Sequence, residues 1–378
     1  MKKILILTHE FAPFRGGIAS YIEHLGRAAA GLGHELTVVA PDYGKRLIDG
    51  DRDNFPFEVV RFRGGEYRLT KILSLLHRTR KWAYRRDYDI IHAADWPHIM
   101  ALAYLNRKRL LKFTATIYGT EVLLVPGSRQ VRWLGVPDLF EKPKQIFAIS
   151  DFSRRLLLER FPNVAPERVQ VTLLGVGDEL FQTPDSEIDI RAEYDIPDEH
   201  KIVLTVARLD ERKGHRRVIE ALKSMPDEIK NNTSYLIVGA GVHGYTEQLK
   251  AAAASGGIRM TLAGTVTNSR LRAIYRAADI FCMPGEMQPR KIEGFGLVYL
   301  EAAAQGTPSI ATRLGGVPEV IAHENTGLLT DPGDDKALAA ALKRLLTDND
   351  DRRRLGEAAR EKARSFTWER CARQTYGS

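Results

Sequence analysis

The chain has 378 residues, of which 44% are hydrophobic and 28% are charged, values typical of a soluble globular protein with two domains. Its formal net charge of +8 favours an anionic partner, such as a nucleoside diphosphate, a membrane surface or a nucleic acid. The two cysteines, Cys282 and Cys371, exclude a disulfide framework and predict free thiols in a reducing cytoplasm, and no apolar run reaches the roughly 18 residues of a membrane span.

Short apolar runs alternate with helical patterns from the start of the chain. The opening run predicts a first strand rather than a signal peptide. Apolar spacing predicts helices over residues 18–30 and 71–84. Around them lie five runs typical of strands, at 4–7, 36–40, 90–93, 113–117 and 146–149. This alternation predicts a parallel sheet covered by helices.

The alternation weakens over the polar segment 178–200, where we place the connection between two domains. A second series of strand-like runs follows, at 202–207, 235–238, 260–263, 280–283 and 309–311. The sequence therefore predicts an α/β protein made of two doubly wound Rossmann-like domains that face a central cleft. We set these domains at 1–185 and 186–364. The final helical segment, 365–378, either packs back on the first domain or belongs to the core of the second.

Gly16 and Gly17 lie between the first strand and the first helix. Glycines at this point let the backbone approach a phosphate, although a plain turn uses the same residues. The pattern is not a full Gly-x-Gly-x-x-Gly, and no acid follows at the spacing of a ribose contact. Taken alone, these glycines leave a ligand loop and a plain turn equally open.

Two cations stand where the second domain begins its alternation. Arg208 follows a strand, and Lys213 precedes the next helix. Ligands of open parallel sheets bind beyond the carboxyl ends of the strands, so both side chains are expected in the cleft. Two cations there can neutralise a diphosphate without a metal ion. Ordinary solvated surface charge is the alternative.

The segment from Glu293 to Glu301 is the most informative part of the chain. Its helical pattern, 297–305, begins after two glycines, and a helix N-terminus attracts phosphate through its unpaired N–H groups. Glu293 lies just ahead of that terminus, and Glu301 lies about a turn and a half inside the helix. The two acids could therefore hold the two ends of a sugar diphosphate.

Other acids and histidines give weaker signals. Asp49, Asp51 and Asp53 resemble a metal-binding Asp-x-Asp, but they lie among turn-forming residues, so we predict a solvated loop and no metal site. Asp95 and His98 follow a strand, which makes them candidates for an acceptor or sugar contact as well as ordinary structural residues. No Gly-x-Ser-x-Gly occurs, so a hydrolase with a serine nucleophile has no support.

A basic segment covers residues 61–86, where nine Lys or Arg residues accompany one acid, Glu66. Leucines, Trp82 and Tyr84 interleave at partly helical spacing. This pattern is typical of a basic amphipathic helix that lies on anionic lipid, and equally of a packed helix with a solvated basic face. We predict a cytoplasmic protein that this segment can bring to the inner face of the membrane.

Taken together, these motifs resemble glycosyltransferase family 4, whose members are retaining enzymes of the GT-B fold. The resemblance covers nearly the whole chain. It rests on Gly16-Gly17, on Arg208 with Lys213-Gly214, on Glu293 with Glu301, on Gly315-Gly-Val-Pro-Glu319 and on Asn325-Thr-Gly-Leu-Leu329. The stretches 126–130 and 290–296 are more similar to the phosphatidylinositol mannoside mannosyltransferase branch.

The resemblance implies a role for each matching residue. Arg208 and Lys213 would bind the donor diphosphate, Glu293 the donor sugar and Glu301 the ribose. Gly16 and Gly17 would approach the donor phosphate or the acceptor. The remaining donor contacts would come from the loop beside the base and from the start of the helix, namely Gly264, Thr265, Val266, Gly294, Phe295, Gly296, Leu297 and Val298. The enzyme would need no permanent cofactor and no metal.

One position departs from the family pattern. A histidine near the reacting sugar is common in the family, and here the matching residue is Tyr118. Tyrosine can donate a hydrogen bond but is a poor base at neutral pH. A front-face reaction, in which the leaving phosphate takes the acceptor proton, would tolerate this exchange.

The favoured function is therefore transfer of a hexose from a nucleotide diphosphate sugar to an acceptor hydroxyl, with GDP-mannose favoured as donor and UDP-glucose next. A lipid-linked or cell-envelope glycan or glycolipid is the acceptor that we expect. A nucleotide-sugar epimerase or a phosphorylase on the same fold is a second hypothesis. A non-catalytic protein that binds nucleotide sugar or nucleic acid is a third, although no nucleic-acid-binding signature is present, so we predict no nucleic-acid partner.

Overall fold

The computed structural model describes residues 1–14, 16–44, 54–65, 71–85, 87–107, 111–182, 188–241 and 243–377. The chain divides into two compact units, Met1–Gly175 with Thr367–Ser378, and Val176–Phe366. The first unit thus ends ten residues earlier than the predicted 185. The predicted boundary itself, between 185 and 186, lies outside the described residues.

The first unit contains a seven-stranded sheet in the order β3-β2-β1-β4-β5-β6-β7, and each neighbouring pair is parallel. The central strands are buried because they carry runs of aliphatic residues, as strands covered on both faces do. The strand bounds are β1 Lys3–Leu7, β2 Glu35–Pro41, β3 Glu58–Phe62, β4 Ile90–Ala93, β5 Thr114–Ile117, β6 Gln145–Ala148 and β7 Val169–Val171.

Helices connect these strands, and several begin at a residue suited to cap them. Asp95 accepts the backbone N–H of His98 at one helix start, and Ser150 accepts that of Ser153 at another. The helices of this part of the chain are α1 Gly17–Gly31, α2 Ile72–Ala83, α3 Trp96–Leu105, α4 Thr120–Leu124, α5 Arg129–Leu134 and α6 Asp151–Arg160. Helix α3 is largely buried and contributes its residues 99–103 to the core.

The second unit contains a six-stranded parallel sheet in the order β10-β9-β8-β11-β12-β13. Its core joins the buried strands to the apolar faces of the helices that follow them, such as Val218 and Leu342. The strand bounds are β8 Lys201–Val206, β9 Thr233–Val238, β10 Arg259–Gly264, β11 Ile280–Met283, β12 Ser309–Thr312 and β13 Gly327–Thr330.

The helices of the second unit alternate with its strands. Capping side chains again mark their starts: Thr267 accepts the N–H of Arg270, and Asp334 accepts that of Ala337. Their bounds are α7 Ile190–Glu193, α8 His215–Lys223, α9 Asp227–Asn231, α10 His243–Ser255, α11 Asn268–Ala277, α12 Leu297–Ala304, α13 Val317–Val320, α14 Asp335–Thr347 and α15 Asn349–Ala363.

The last helix, α16 (Trp368–Tyr376), belongs to the first unit. It lies against α1, where the Trp368 ring stacks on His24 with centroids 5.1 Å apart. Tyr376 is fully buried and meets the His92 ring edge-on at 5.6 Å. The sequence left two places open for this segment, and the structure puts it in the core of the first unit.

The predicted fold class, two doubly wound Rossmann-like units, is confirmed. Strands β4 and β11 have the predicted bounds, whereas β3, β7 and β13 were not predicted from the sequence. Strands β3 and β7 lie at the two edges of the first sheet and are only partly buried, so their apolar patterns are weak. Both cysteines are buried free thiols, as expected. Among the described helices, none is long and apolar enough to cross a membrane.

Candidate active site

The carboxyl ends of strands β8, β10 and β11 gather most of the predicted donor-binding residues of the second unit. Arg208 lies two residues beyond β8, Gly264 is the last residue of β10, and Glu293 lies in the segment that joins β11 to α12. Ligands of open parallel sheets bind at this edge. The predicted residues are therefore at the edge of the sheet where the general rule places a ligand.

Lys213 and Glu293 form the central ion pair of this edge. The Lys213 Nζ lies 2.6 Å from the Glu293 Oε2, and both side chains are mostly buried, at 14% and 23% exposure. Lys213 ends a short 3₁₀ helix, Glu211–Lys213, whose start is capped by Asp210 through the N–H of Arg212. A partly buried cation and acid that pair with each other can also bind a ligand that carries both a diphosphate and hydroxyl groups, the cation through the diphosphate and the acid through the hydroxyls.

Arg212 is a second cation on the same acid, and sequence reasoning missed it. Its NH1 lies 3.5 Å from the Glu293 Oε2, and its side chain is 13% exposed. Arg208 differs, because its side chain is exposed and, in the part of the chain that the structure describes, it forms no ion pair with Glu293. The predicted pair of cations is thus accompanied by a third one, which is more buried than Arg208 and lies farther from the acid than Lys213 does.

The backbone of Glu293 rests directly on a pair of glycines. Gly316 donates its N–H to the Glu293 carbonyl at 3.0 Å. Gly315 has φ of 57°, and a Cβ on it would lie 2.0 Å from that same carbonyl oxygen. Only glycine fits such a conformation at such a distance. The Gly315-Gly316 motif therefore fixes the position of the Glu293 backbone relative to the sheet.

Helix α12 begins immediately after Gly294, Phe295 and Gly296. Gly296 is its N-cap with φ of 93°, and Phe295 is buried at 2% exposure. The Tyr299 hydroxyl donates to the Met283 carbonyl at 2.8 Å and ties the first turn to the end of β11. The N–H groups of the first turn, including those of Leu297 and Val298, have no acceptor earlier in their own helix and can meet an anion.

Glu301 is held by a buried tyrosine. The Tyr275 hydroxyl, on α11, donates to the Glu301 Oε2 at 2.8 Å. Burial, together with the nearby Glu301 charge, raises the pKa of Tyr275 well above its ordinary value, so its hydroxyl keeps its proton. This bond fixes the Glu301 carboxylate in one orientation. Nothing in the sequence signals it, because the two residues belong to different helices.

The loop predicted to lie beside the base follows β10. Gly264 has φ of 66°, Thr265 is exposed and Val266 is half-buried. The next residue, Thr267, caps α11. The loop thus leads from the strand edge straight into the helix that carries Tyr275, so it lies in the same part of the unit as Glu301.

In the first unit, Asp95 gathers hydrogen bonds at the carboxyl ends of β1 and β4. Its Oδ1 accepts the backbone N–H of His98 at 3.1 Å and the His98 Nδ1 at 2.7 Å. Its Oδ2 accepts the backbone N–H of His9 and lies 3.3 Å from the Thr8 hydroxyl. Burial raises the pKa of Asp95, but the electrostatic interaction with His98, together with these hydrogen bonds, outweighs it and lowers the pKa to about 2. Asp95 is therefore ionised and orients the His98 ring.

His9 lies beside this pair. Its ring stacks on His98 with centroids 4.6 Å apart. Burial, with a smaller contribution from His98, lowers the pKa of His9 to about 3, so its ring is neutral near pH 7. When His98 is also neutral, its Nδ1 carries the proton donated to Asp95, and its Nε2 is a hydrogen-bond acceptor. The structure thus brings the predicted pair Asp95 and His98 together and adds His9.

Tyr118 stands immediately beyond β5. Its hydroxyl donates to the Ala94 carbonyl at 2.8 Å, one residue before Asp95. Burial raises the pKa of Tyr118 well above its ordinary value. Tyr118, which occupies the position where the family often has a histidine, is therefore protonated. Its hydroxyl donates a hydrogen bond to the backbone and supports the segment that carries Asp95.

Gly16 and Gly17 begin helix α1. Gly16 is its N-cap in extended conformation, and Gly17 is its first residue. A Cβ on Gly16 would lie 2.9 Å from the Phe14 ring, whereas a Cβ on Gly17 would have no described atom within 4 Å other than those of its chain neighbours and its own helix backbone. The space beside Gly17 is open on the side where a side chain would stand, so a ligand can approach the backbone there.

His9, Asp95 and His98 are also spaced as metal ligands can be, with one donor atom of each within 4.8 Å of the others. Sequence reasoning predicted no metal site. The hydrogen bonds to both Asp95 oxygens leave that carboxylate little capacity to bind a cation, so this group of residues fits the orientation of an imidazole better. The loop with Asp49, Asp51 and Asp53 lies outside the described residues.

Comparison with known proteins agrees with this geometry. The family described as "Glycosyltransferase Family 4" matches residues 15–180, and that described as "Glycosyl transferases group 1" matches residues 186–362. The chain is 30% identical, over 96% of its length and 93% of the relative, to the GDP-mannose-dependent alpha-(1-6)-phosphatidylinositol monomannoside mannosyltransferase of Mycobacterium tuberculosis. The chain belongs to glycosyltransferase family 4. The family resemblance is confirmed, and the protein is a glycosyltransferase.

Two further comparisons show how varied the relatives of this family 4 glycosyltransferase are. It is 27% identical, over 92% of its length and 89% of the relative, to the N-acetyl-alpha-D-glucosaminyl L-malate synthase of Bacillus anthracis. Its structure is similar to that of Anabaena HepE in complex with UDP-glucose, with a TM-score of 0.78 and 19% identity, covering 99% of this chain and 98% of the other. The second similarity shows the GT-B fold alone.

Proposed function

We propose that this glycosyltransferase transfers a hexose, with retained configuration, from a nucleotide diphosphate sugar to an acceptor hydroxyl. The donor binds the second unit. The observation that carries this assignment is the Lys213–Glu293 pair, 2.6 Å long, beside the start of helix α12. A diphosphate that draws Lys213 and Arg212 towards itself leaves Glu293 to accept hydroxyl groups of the sugar.

The proposed division of roles follows the edge of the second sheet. Arg208, Lys213 and the N–H groups of the first turn of α12 neutralise the diphosphate without a metal ion. Glu301, held by Tyr275, accepts the ribose hydroxyls, and the loop at 264–266 lies beside the base. Because the charges are fixed before the reaction, they stabilise the leaving phosphate as its charge develops.

The proposed reaction needs no protein nucleophile. The bond between the sugar C1 and the phosphate oxygen breaks, and the acceptor oxygen forms its bond to C1 on the same face. The acceptor proton passes to an oxygen of the leaving diphosphate. Tyr118 does not serve as a base in this scheme, in keeping with the raised pKa of its hydroxyl. Positioning and charge stabilisation supply the catalysis.

GDP-mannose is the favoured donor. Support comes from the mycobacterial relative, a GDP-mannose-dependent mannosyltransferase that covers nearly the whole chain at 30% identity. UDP-glucose is the next candidate. An epimerase reaction is disfavoured because the relatives named above act on separate acceptors, a phosphatidylinositol mannoside in one and malate in the other.

The acceptor side of the reaction is proposed for the first unit. Asp95 holds the His98 ring through the 2.7 Å bond to Nδ1, so Nε2 is the ring nitrogen that can form a hydrogen bond with an acceptor hydroxyl. The open space beside Gly17 admits the ligand to the backbone at the start of α1. A glycan or a glycolipid hydroxyl suits this set of groups.

We further propose that helix α2 brings the enzyme to an anionic membrane surface. Leu75, Thr79 and Ala83 are buried, so they attach the helix to the first unit. Its outward residues combine cations, such as Arg80 and Lys81, with apolar side chains, since Leu73 is 71% exposed and the following Tyr84 is 47% exposed. This combination suits the boundary between lipid headgroups and acyl chains. Glu66, Arg68 and Arg86 of the predicted segment 61–86 lie outside the described residues.

A thermal-shift panel of nucleotide sugars tests the donor assignment. GDP-mannose, UDP-glucose and ADP-glucose are each added to the full chain, because a ligand that binds only the native state raises its Tm. We expect the largest rise with GDP-mannose and a much smaller rise in Lys213→Ala. If no nucleotide sugar shifts the Tm, the proposed donor site is wrong.

Binding to lipid has its own test. Co-sedimentation with phosphatidylcholine vesicles that contain phosphatidylinositol is expected at low salt, and it should weaken in Arg80→Gln/Lys81→Gln. The matched control is Arg155→Gln, an exposed residue of α6 in the same unit. Equal sedimentation of all three proteins would rule out α2 as the lipid-binding surface.

A further inference from the structure

The first unit has a cavity of about 400 Å³ at the amino ends of its strands, the opposite edge from Asp95 and Tyr118. Three of its lining residues stand just ahead of adjacent strands: Lys112 ahead of β5, Lys144 ahead of β6 and Arg168 ahead of β7. Neighbouring parallel strands place their amino ends side by side. The sheet topology thus brings together three cations from separate segments in what we call the amino-edge pocket.

The backbone of the pocket is well fixed. The Lys144 N–H donates to the Phe113 carbonyl at 2.7 Å and joins the segments ahead of β5 and β6. The Arg168 guanidinium donates to the Glu141 carbonyl at 2.9 Å and also to the Pro143 carbonyl. The Asn106 side chain closes the other wall through two 2.8 Å bonds to the backbone of Leu111. These bonds hold the walls in place before any ligand arrives.

The charge in the pocket is strongly positive. Lys112, Lys142, Lys144 and Arg168 line it, and Glu141 is the one carboxylate among its described lining residues. Lys142 forms an ion pair with Asp138. Lys112 and Lys144 are exposed, and within the described ranges neither side chain has an ion pair or a hydrogen bond. Two uncommitted ammonium groups over a rigid polar cavity are suited to phosphate.

The same pocket offers groups suited to hydroxyls. The Glu141 carboxylate lines it and accepts the Asn163 amide at 3.3 Å, so both an acceptor and an amide stand beside the cations. Of the residues that the structure describes in the pocket lining, Leu111 alone is apolar. A volume of about 400 Å³ lies within the range of about 300–1,000 Å³ that is usual for small-molecule sites. A polar ligand with both phosphate and hydroxyl groups therefore matches it better than an apolar one.

We propose that the amino-edge pocket binds a phosphorylated polyol, either a free sugar phosphate or the phosphorylated polyol headgroup of a lipid. Lys112 and Lys144 take the phosphate, and Glu141 with Asn163 takes hydroxyl groups. Strand β5 has four residues and separates this pocket from Tyr118 by about 13 Å. A ligand bound here therefore occupies a site distinct from the proposed acceptor groups, and the inference does not depend on the donor assignment.

Isothermal titration calorimetry with fructose 1,6-bisphosphate at low ionic strength tests the pocket, with fructose as the ligand that lacks phosphate. We expect fructose 1,6-bisphosphate to bind and fructose not to bind. In Lys112→Gln/Lys144→Gln, the affinity for the bisphosphate should fall by about tenfold for each lysine lost. Both lysines are exposed, so the Tm of this variant should match the wild type. The control Lys3→Gln/Lys250→Gln removes two other lysines whose side chains are 54% and 55% exposed, and it should bind normally.

Two further arms identify the site and the source of the phosphate. Lys213→Ala should bind fructose 1,6-bisphosphate as the wild type does, since it alters only the second unit. Co-sedimentation is measured with phosphatidylcholine vesicles that contain or lack phosphatidylinositol. If a lipid supplies the phosphate, Lys112→Gln/Lys144→Gln should no longer sediment with the phosphatidylinositol vesicles, whereas the control variant should. Equal affinity of wild type and Lys112→Gln/Lys144→Gln for both probes, or no binding of either probe, would overturn the proposal.

Discussion

The carboxyl edges of the two sheets are built from different chemistry. In the second unit the edge carries an ion pair at partial exposure, Lys213 with Glu293, and a second cation, Arg212, on the same acid. In the first unit the edge carries a fully buried Asp95, a neutral His9 and a Tyr118 whose hydroxyl is given to the backbone. The edge of the second unit therefore suits a charged ligand, whereas the edge of the first unit suits uncharged hydroxyl groups.

This difference bears on how each partner is recognised. A diphosphate is the same in every nucleotide sugar, so a fixed set of charges can bind it. An acceptor hydroxyl is neutral and is recognised by oriented hydrogen bonds, which many combinations of residues can provide. We therefore expect substitutions in the second unit to affect reaction rate most, and those in the first unit to affect stability and its dependence on pH.

The largest effect is expected from Lys213→Ala. Loss of the cation that we propose faces the leaving diphosphate should lower donor turnover by roughly 10²–10³-fold, as removal of one preorganised charge-stabilising group typically does. Release of the nucleoside diphosphate from GDP-mannose measures it. Lys250→Ala, which breaks an exposed lysine–glutamate pair on α10, is the control and should keep its rate. Near-normal turnover in Lys213→Ala would contradict the proposal that the edge of the second unit, unlike that of the first, stabilises a charged leaving group.

Gly315→Ala should strongly destabilise the second unit. A Cβ there would lie 2.0 Å from the Glu293 carbonyl oxygen, and φ is 57°, so both the backbone and the neighbouring segment must shift. We expect a loss of about 3 kcal/mol in the free energy of unfolding, measured by urea titration. Gly244→Ala, in helix α10 with no atom within 4 Å of its Cβ, should be neutral or slightly stabilising. Similar stability of the two variants would show that Glu293 does not depend on this contact.

The pH dependence of stability should reveal His92 in the first unit. It is fully buried, its ring bonds Thr116 at 2.9 Å, and burial lowers its pKa to about 3 from 6.5. Because the native pKa is depressed, the unfolded chain binds a proton first as the pH falls. This contribution is therefore present above about pH 6.5 and is lost progressively towards pH 3, about 2 kcal/mol of it by pH 5.

Urea titrations at pH 7 and pH 5 measure that loss. His92→Gln should lose less stability between the two pH values than the wild type does. His77→Gln alters an exposed histidine of α2 and should lose as much as the wild type. An unchanged pH dependence in His92→Gln would mean that the buried imidazole of the first unit does not titrate as its burial requires.

The smallest effect is expected from Tyr275→Phe. Without the 2.8 Å bond from the hydroxyl, the Glu301 carboxylate, which we propose binds the ribose, loses its fixed orientation. We expect KM for the donor to rise by roughly fivefold, the value of about one hydrogen bond, with kcat little changed. Tyr235→Phe, which alters another buried tyrosine of the same unit, bonded to Thr205, should leave KM unchanged. A fall in kcat with constant KM would contradict a role for Tyr275 in donor binding.

The sequence alone predicted much of the site in the second unit but little of the one in the first unit. Lys213 and Glu293 were predicted as members of one site because each lies just ahead of a helix that follows a strand of the second series. Arg212 and Tyr275 were missed, since their contacts depend on the packing of a 3₁₀ helix and of α11. In the first unit His9 and Asp95 are 86 residues apart, and only the adjacency of β1 and β4 brings them together. Edge strands such as β7, with three residues, are too short for their pattern to be recognised.

The configuration of the transferred sugar tests the proposed reaction most directly. GDP-mannose and UDP-glucose, both α-linked donors, are incubated with the full chain and a membrane lipid extract, and the glycolipid product is examined by NMR. We predict an α-linked hexose, formed by wild type and by Lys250→Ala and largely absent with Lys213→Ala. A β-linked product, or equal product from Lys213→Ala, would contradict retaining transfer from a donor bound at the Lys213–Glu293 pair.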